Sequence, residues 1–230
     1  MRGLWAALAA MLLLFVGAGT AAADPTTGSS NGQTYAVSAA TIKPGGWQVT
    51  VGQLSGGDKT VSSAFNDASV ASGEYLADLL AGNVADATLK TTANVSFGPK
   101  TISQVLTGSY FATGAAHPVD YIATIVIDSR TGKPITLDAL FADTQAGLQR
   151  LSDQTKVLLP AQPGTRMKSP MPDTPGNAPV AKNFANWIPA SGGIEIHFND
   201  GQFFHGTPVI TVPWAKLTDV LAPDMKALAQ

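Results

Sequence analysis

The spacing of apolar residues divides the N-terminal two thirds of the chain into strands and a helix. Residues 91–97, 102–111 and 119–127 show the short apolar runs that strands produce. The last run is almost continuously apolar, which is typical of a central strand covered on both faces. Residues 62–80 place their apolar side chains at helical spacing, and Gly82 is well positioned to end that helix.

The C-terminal third follows a similar order. A second helix is predicted from an N-cap at Asp143 to about residue 159, and the next stretch, 160–182, is a proline-rich irregular loop. Residues 194–198 then alternate up to Asn-Asp-Gly at 199–201, which we expect to be a three-residue hairpin turn. Strands and helices that follow one another with hairpin-length links predict an α+β fold, with packed helices on an antiparallel or mixed sheet.

The first 46 residues lack such a core pattern. Residues 1–23 combine a basic start, an apolar run and a small-residue end, which predicts a secretory signal peptide. We therefore expect a secreted or cell-envelope protein with no stable membrane anchor after cleavage. Residues 24–46 are interpreted as a flexible leader.

Composition adds two limits. The chain has no cysteine, so an exported form must be stabilised by its core alone, and about 200 residues suffice for that. The formal net charge is −2, only 13% of residues are charged, and no basic run occurs. These features argue against nucleic acid as a partner.

Several motifs resemble the RsiV-type domain, which also occurs in secreted mycobacterial immunogenic antigens of the MPT/MPB type. They are Gly-Ala-Ala-His-Pro at 114–118, Asp-x-x-Thr-Gly-Lys-x-x-Thr-Leu-Asp-x-Leu-Phe at 128–141, Gly-Ile-x-Ile-x-Phe at 193–198 and Val-Pro-Trp-x-x-Leu at 212–217. The resemblance implies a small N-terminal α+β subdomain, residues 47–115, followed by a larger RsiV-like domain, residues 116–230.

The same resemblance implies two kinds of function. The extracellular part of RsiV binds lysozyme, which favours a binding or interaction module for an unknown protein or small-molecule ligand at the cell envelope. Some mycobacterial relatives have been described as esterases, and a weak carboxylesterase acting on short acyl esters is the alternative hypothesis.

Candidate site residues follow from these two hypotheses. An esterase needs a serine, a histidine and a carboxylate, for which Ser109, His117 and Asp120 are the candidates, although we interpret the sequence as lacking the Gly-x-Ser-x-Gly pattern of a nucleophile elbow. For ligand binding the candidates are His117, Tyr110 and Trp187, because exposed aromatic and loop residues often contact ligands.

The sequence gives less support for a metal site or a cofactor site. The expected hairpin register would place Glu195 opposite His205 and on the same face as His197. This set lacks the His-x-His or His-x-x-x-His spacing of zinc sites, so we predict no metal site. The pair Gly56-Gly57 lacks the spacing and the Lys-Ser/Thr of a phosphate loop, so we predict no cofactor.

Overall fold

The computed structural model describes residues 26–82, 86–165 and 167–229. Nine strands are formed in this part of the chain: β1 (Thr26–Ser30), β2 (Gln33–Ile42), β3 (Val49–Gly56), β4 (Ala87–Phe97), β5 (Thr101–Ala112), β6 (Val119–Asp128), β7 (Trp187–Ala190), β8 (Gly193–His197) and β9 (Val209–Pro213). The α-helices there are α1 (Lys59–Asp78), α2 (Leu137–Leu140) and α3 (Thr144–Leu158).

The strands form three antiparallel sheets in the orders β1-β2-β3, β4-β5-β6 and β7-β8-β9. Helix α1 packs on β3 and on β6, and α3 packs on β9. This arrangement confirms the predicted α+β class. The predicted N-cap is confirmed as well, since the Asp143 carboxylate accepts a hydrogen bond of 3.0 Å from the N–H of Ala146.

The middle sheet separates two cores. On one face, Leu106 and Ile127 contact α1 and the first sheet. On the other face, Val105 and Val126 belong to the large C-terminal core around β8, β9 and α3. The predicted boundary between residues 115 and 116 falls in the turn between the paired strands β5 and β6, and the division into subdomains stays a prediction.

A buried polar cluster holds α1 against the sheets. The side-chain oxygen of Gln104 on β5 accepts hydrogen bonds from the N–H of Gly52 on β3 and from the hydroxyl of Ser69 on α1, each 2.9 Å long. Its amide nitrogen donates to the hydroxyl of Ser72, one turn further along α1, over 3.2 Å. Because a buried amide without partners would be costly, this cluster fixes the position of the helix.

The prediction of a flexible leader over residues 24–46 is wrong for the part that the structure describes. Residues 26–42 form the hairpin β1-β2, in which Ser30 pairs with Gln33 across the two-residue turn Asn31-Gly32. Both turn residues have positive φ, 50° and 71°. An Asn-Gly pair is the strongest short-range signal for such a turn, so the signal was present in the sequence.

The prediction that residues 119–127 form a central strand is also wrong. Strand β6 lies at the edge of its sheet, and β5 is the central strand. Its apolar run reflects cover on both faces, by α1 on one side and by the C-terminal core on the other. A strand can therefore be buried on both faces and still have one edge without a partner strand.

The predicted hairpin across residues 199–201 has a different register. Strand β8 pairs with β9, so Glu195 lies opposite Thr211 instead of His205. Gly201 does have the expected positive φ, 78°, but the chain then forms a longer irregular connection to β9. Among the described residues no helix combines the length and apolarity needed to cross a bilayer.

Candidate functional site

Two histidines and an aspartate meet where the β5-β6 turn approaches the connection between β8 and β9. The ring centroids of His117 and His205 are 4.1 Å apart. The Nδ1 atom of His205 lies 3.0 Å from a carboxylate oxygen of Asp200. We call His117, His205 and Asp200 the histidine cluster. It brings together residues from two loops that are far apart in sequence.

Asp200 is the anchor of the histidine cluster. Its side chain is 6% exposed, whereas that of His205 is 57% exposed. The carboxylate accepts hydrogen bonds from the N–H of Gly206 over 2.6 Å and from the N–H of Asp120 over 3.3 Å. Burial raises the pKa of Asp200, but the two N–H donors and His205 outweigh it, so the pKa lies below its usual value. The carboxylate therefore stays ionised and ties the loop to the start of β6.

The three esterase candidates lie near this cluster without forming a triad. Ser109 and Asp120 are cross-strand partners in β5 and β6, so their side chains share one face of the sheet. His117 is exposed in the adjoining turn, where its Nδ1 lies 3.1 Å from the carbonyl oxygen of Pro118. Among the described residues, neither His117 nor His205 hydrogen-bonds to a serine or threonine hydroxyl. Within the histidine cluster the carboxylate beside a histidine belongs to Asp200, which sequence reasoning missed.

Tyr110 and Trp187, proposed as ligand contacts, are core residues. Tyr110 is 8% exposed and packs edge-on against Trp47, and Trp187 is 3% exposed in the C-terminal core. The N–H of Trp187 donates to the hydroxyl of Thr124 on β6 over 3.0 Å. These two aromatic residues therefore present little surface to a ligand.

A Gly-x-Ser-x-Gly pattern does occur at residues 28–32, which corrects the sequence analysis. It lies on the β1-β2 hairpin, not on the strand-turn-helix that a nucleophile elbow requires. The Ser30 hydroxyl is buried and lies 2.7 Å from the Gly98 carbonyl oxygen and 2.7 Å from the Ser129 hydroxyl. Ser30 is thus a structural residue that ties the hairpin to the neighbouring sheet.

His197 lies apart from the histidine cluster. Its Nε2 is 3.6 Å from a carboxylate oxygen of Glu195, two residues earlier on β8, and has no hydrogen-bond partner among the described residues. Burial lowers the pKa of His197, and Glu195 opposes this effect only in part. No three metal-ligating side chains come together in residues 26–82, 86–165 and 167–229.

A long surface groove runs along β6. Its part nearest the histidine cluster has a volume of about 820 Å³, and its continuation has about 400 Å³. The two parts share five lining residues: Ala68 of α1, Thr124 and Ile125 of β6, and Lys182 and Ala185 of the opposite wall. We call this feature the β6 groove. The near part is also lined by Asp200, the carboxylate residue of the histidine cluster.

Comparison with known proteins identifies the fold. It is similar to a crystal structure of a DUF3298 family member from Bacteroides fragilis, with a TM-score of 0.55 and 13% sequence identity over 89% of this chain and 98% of that one. A DUF3298 family protein from Pseudomonas aeruginosa gives a TM-score of 0.51 and 15% identity over 82% of this chain and 95% of that one.

No family model matches the sequence, and no curated protein does. At such identities the likeness to the two crystal structures concerns the fold alone.

Proposed function

We propose that this chain is a binding module of the bacterial cell envelope or exterior and that it holds its partner in the β6 groove. The signal-like residues 1–23 and the RsiV-type motifs support the location and the type of protein. The observation that carries the proposal is the groove itself. Its two parts measure about 820 and 400 Å³, within the usual range of ligand sites.

The lining of the groove suits recognition better than catalysis. Helix α1 contributes small side chains, Ala68 and Ala71, together with the exposed ring of Tyr75. The opposite wall contributes Lys182 and the amide side chain of Asn186. A few polar groups beside an apolar floor orient a ligand without activating a nucleophile.

Site-specific photo-crosslinking tests this proposal in the bacterium that makes the protein. A photoreactive phenylalanine analogue at Ala71 reports on the groove, and the same analogue at Ser63, exposed on α1 outside the groove lining, is the control. We expect a discrete adduct from position 71 and none from position 63. Equal labelling from both positions would contradict a binding role for the groove.

A weak carboxylesterase is the second candidate, and the observation in its favour is the pairing of His205 with the buried Asp200. That pair has the base and the orienting carboxylate of a hydrolase, but a positioned nucleophile is also required. We expect turnover of nitrophenyl butyrate below about 1 s⁻¹, the low end of usual enzyme values. Ser109→Ala and His205→Ala should leave it unchanged. A faster reaction that either substitution abolishes would make the chain an esterase.

A further inference from the structure

Within residues 26–82, 86–165 and 167–229, some backbone groups on the outer edge of β6 have no hydrogen-bond partner. At its C-terminal end the N–H of Asp128 donates to the carbonyl of Lys133, and the carbonyl of Val126 accepts from the N–H of Ile135, each over 2.8 Å. At its N-terminal end the N–H of Asp120 points to Asp200. In an antiparallel strand the N–H and C=O of one residue point the same way, and successive residues alternate. The even-numbered residues of β6 therefore face away from β5.

The two even-numbered residues between these ends are Ile122 and Thr124. Neither their N–H groups nor their carbonyl groups have a hydrogen-bond partner among the described residues. A strand edge of this kind is a template for another strand. Thr124 lines both parts of the β6 groove, so the unpaired edge forms part of the wall of the candidate binding site.

The surroundings of this edge favour an extended peptide over a second copy of the chain. The edge is recessed between α1, with Ala68 and Ala71, and the opposite segment, with Lys182 and Ala185. A folded copy would have to bring its own β6, which lies in the same kind of recess, into that space. A single extended segment fits, and the stretch of β6 between residues 120 and 126 spans roughly 20 Å, or about six peptide residues.

The charge and size of the groove residues indicate what this peptide contains. Lys182 is exposed and has no ion-pair partner within the described residues. Ala68 and Ala71 leave room on the helical side for larger apolar side chains. Since side chains of a strand alternate between two faces, the suitable ligand alternates apolar residues with polar ones and carries a carboxylate near its middle.

We propose that the β6 groove binds an extended segment of a partner protein, which pairs with Ile122 and Thr124 as a fourth strand of the β4-β5-β6 sheet. The inference rests on the proposed binding function and specifies its ligand. Backbone pairing supplies affinity in this mode of recognition, and the side-chain pockets supply specificity.

The test uses peptides selected from a phage-displayed library of random twelve-residue sequences on the purified chain. Each selected peptide is synthesised with an N-methyl group at one residue at a time, which removes one N–H donor. Strand pairing predicts a loss of affinity of about tenfold or more at alternate positions, and little loss at the positions between.

Ala71→Trp, which fills the groove, should abolish binding, whereas Ser63→Trp should not. Lys182→Gln should weaken peptides with a central carboxylate about threefold.

Three outcomes would overturn the proposal. Binding that Ala71→Trp abolishes without alternation in the N-methyl series would leave groove binding intact but exclude strand pairing. If no selected peptide is sensitive to Ala71→Trp, a peptide ligand is excluded. The photo-crosslinking experiment at position 71 would still test separately whether the groove binds a partner. A concentration-dependent dimer that Ala71→Trp disrupts would make a second copy of the chain the occupant.

Discussion

The carboxylate of Asp200 offers the sharpest test of how the histidine cluster is built. It holds the N–H of Gly206, the ring of His205 and the N–H of Asp120, at 2.6, 3.0 and 3.3 Å. Asp200→Ala removes all three interactions and leaves two backbone donors without their acceptor. Asp200→Asn keeps one acceptor oxygen but removes the charge, so the two variants separate hydrogen bonding from charge.

The lengths of the hydrogen bonds to Asp200 determine how much free energy of unfolding each variant should lose. A hydrogen bond to a charged group contributes about 1.5–3 kcal/mol, and the short bond to Gly206 belongs at the upper end. The bond to Asp120 is long, and the exposed His205 pair is screened by solvent, so both contribute little. We expect Asp200→Ala to lower the free energy of unfolding by about 2–3 kcal/mol, and Asp200→Asn by about 1–2 kcal/mol.

The effect should depend on pH with a defined sign. The folded-state pKa of Asp200 lies below its usual value. Its ionisation therefore stabilises the protein fully above the unfolded pKa of about 3.9, and this contribution is lost as the pH falls through the folded pKa. Urea titrations at pH 7 and at about pH 2.5 should show the gap between wild type and Asp200→Asn closing in acid. The exposed Asp67→Asn is the control and should change stability by less than about 0.5 kcal/mol. A gap that stays constant, or is absent at pH 7, would refute the reasoning.

Three further predictions concern other parts of the molecule. A Cβ atom at Gly193 would lie 2.0 Å from a backbone oxygen of β9, so Gly193→Ala should lower the free energy of unfolding by about 2–3 kcal/mol in a urea titration. A Cβ atom at Gly192 would meet no described atom within 4 Å, so Gly192→Ala should lower it by less than about 1 kcal/mol, and equal losses would contradict the packing. The buried carboxylate of Asp128 accepts hydrogen bonds of 2.6 and 2.9 Å from the guanidinium of Arg130. Asp128→Ala should therefore lower the free energy of unfolding by about 2 kcal/mol, and an unchanged denaturation midpoint would show that this pair is dispensable. His117 is exposed and contacts only its own turn and the ring of His205 among the described residues. His117→Ala should therefore change the free energy of unfolding by less than about 1 kcal/mol by calorimetry, and a larger loss would mean that the histidine cluster is structural.

The sequence predicted where helices and strands lie along the chain better than it predicted which strands are adjacent in a sheet. Helices α1 and α3 and strands β4, β5 and β6 lie where the periodicity placed them, because the pattern of buried side chains is local. The place of β6 within its sheet was missed, since burial on both faces leaves the same apolar run in a central strand and in a covered edge strand. The β1-β2 hairpin was missed although Asn31-Gly32 marks its turn.

The candidate site was predicted in part. His117 and Asp120 do lie at one end of the sheet, but the carboxylate that anchors the site is Asp200, whose role depends on a contact 80 residues away in sequence. The expected register around Gly201 hid this role, because it placed His205 opposite Glu195 instead of beside Asp200. Contacts between distant loops leave no periodic signal in a single sequence.

Hydrogen exchange at the edge of β6 tests the central claim most directly. In the free protein we expect the amides of Ile122 and Thr124 to exchange readily, because they have no acceptor in the part of the chain that the structure describes. The amides of Ala123 and Ile125 should be protected, because these residues pair with β5. Saturation with a selected peptide should slow exchange at Ile122 and Thr124 by at least about tenfold and leave the other two unchanged. Exchange at Thr124 that does not slow when the peptide is bound would contradict the claim that partners bind along this edge.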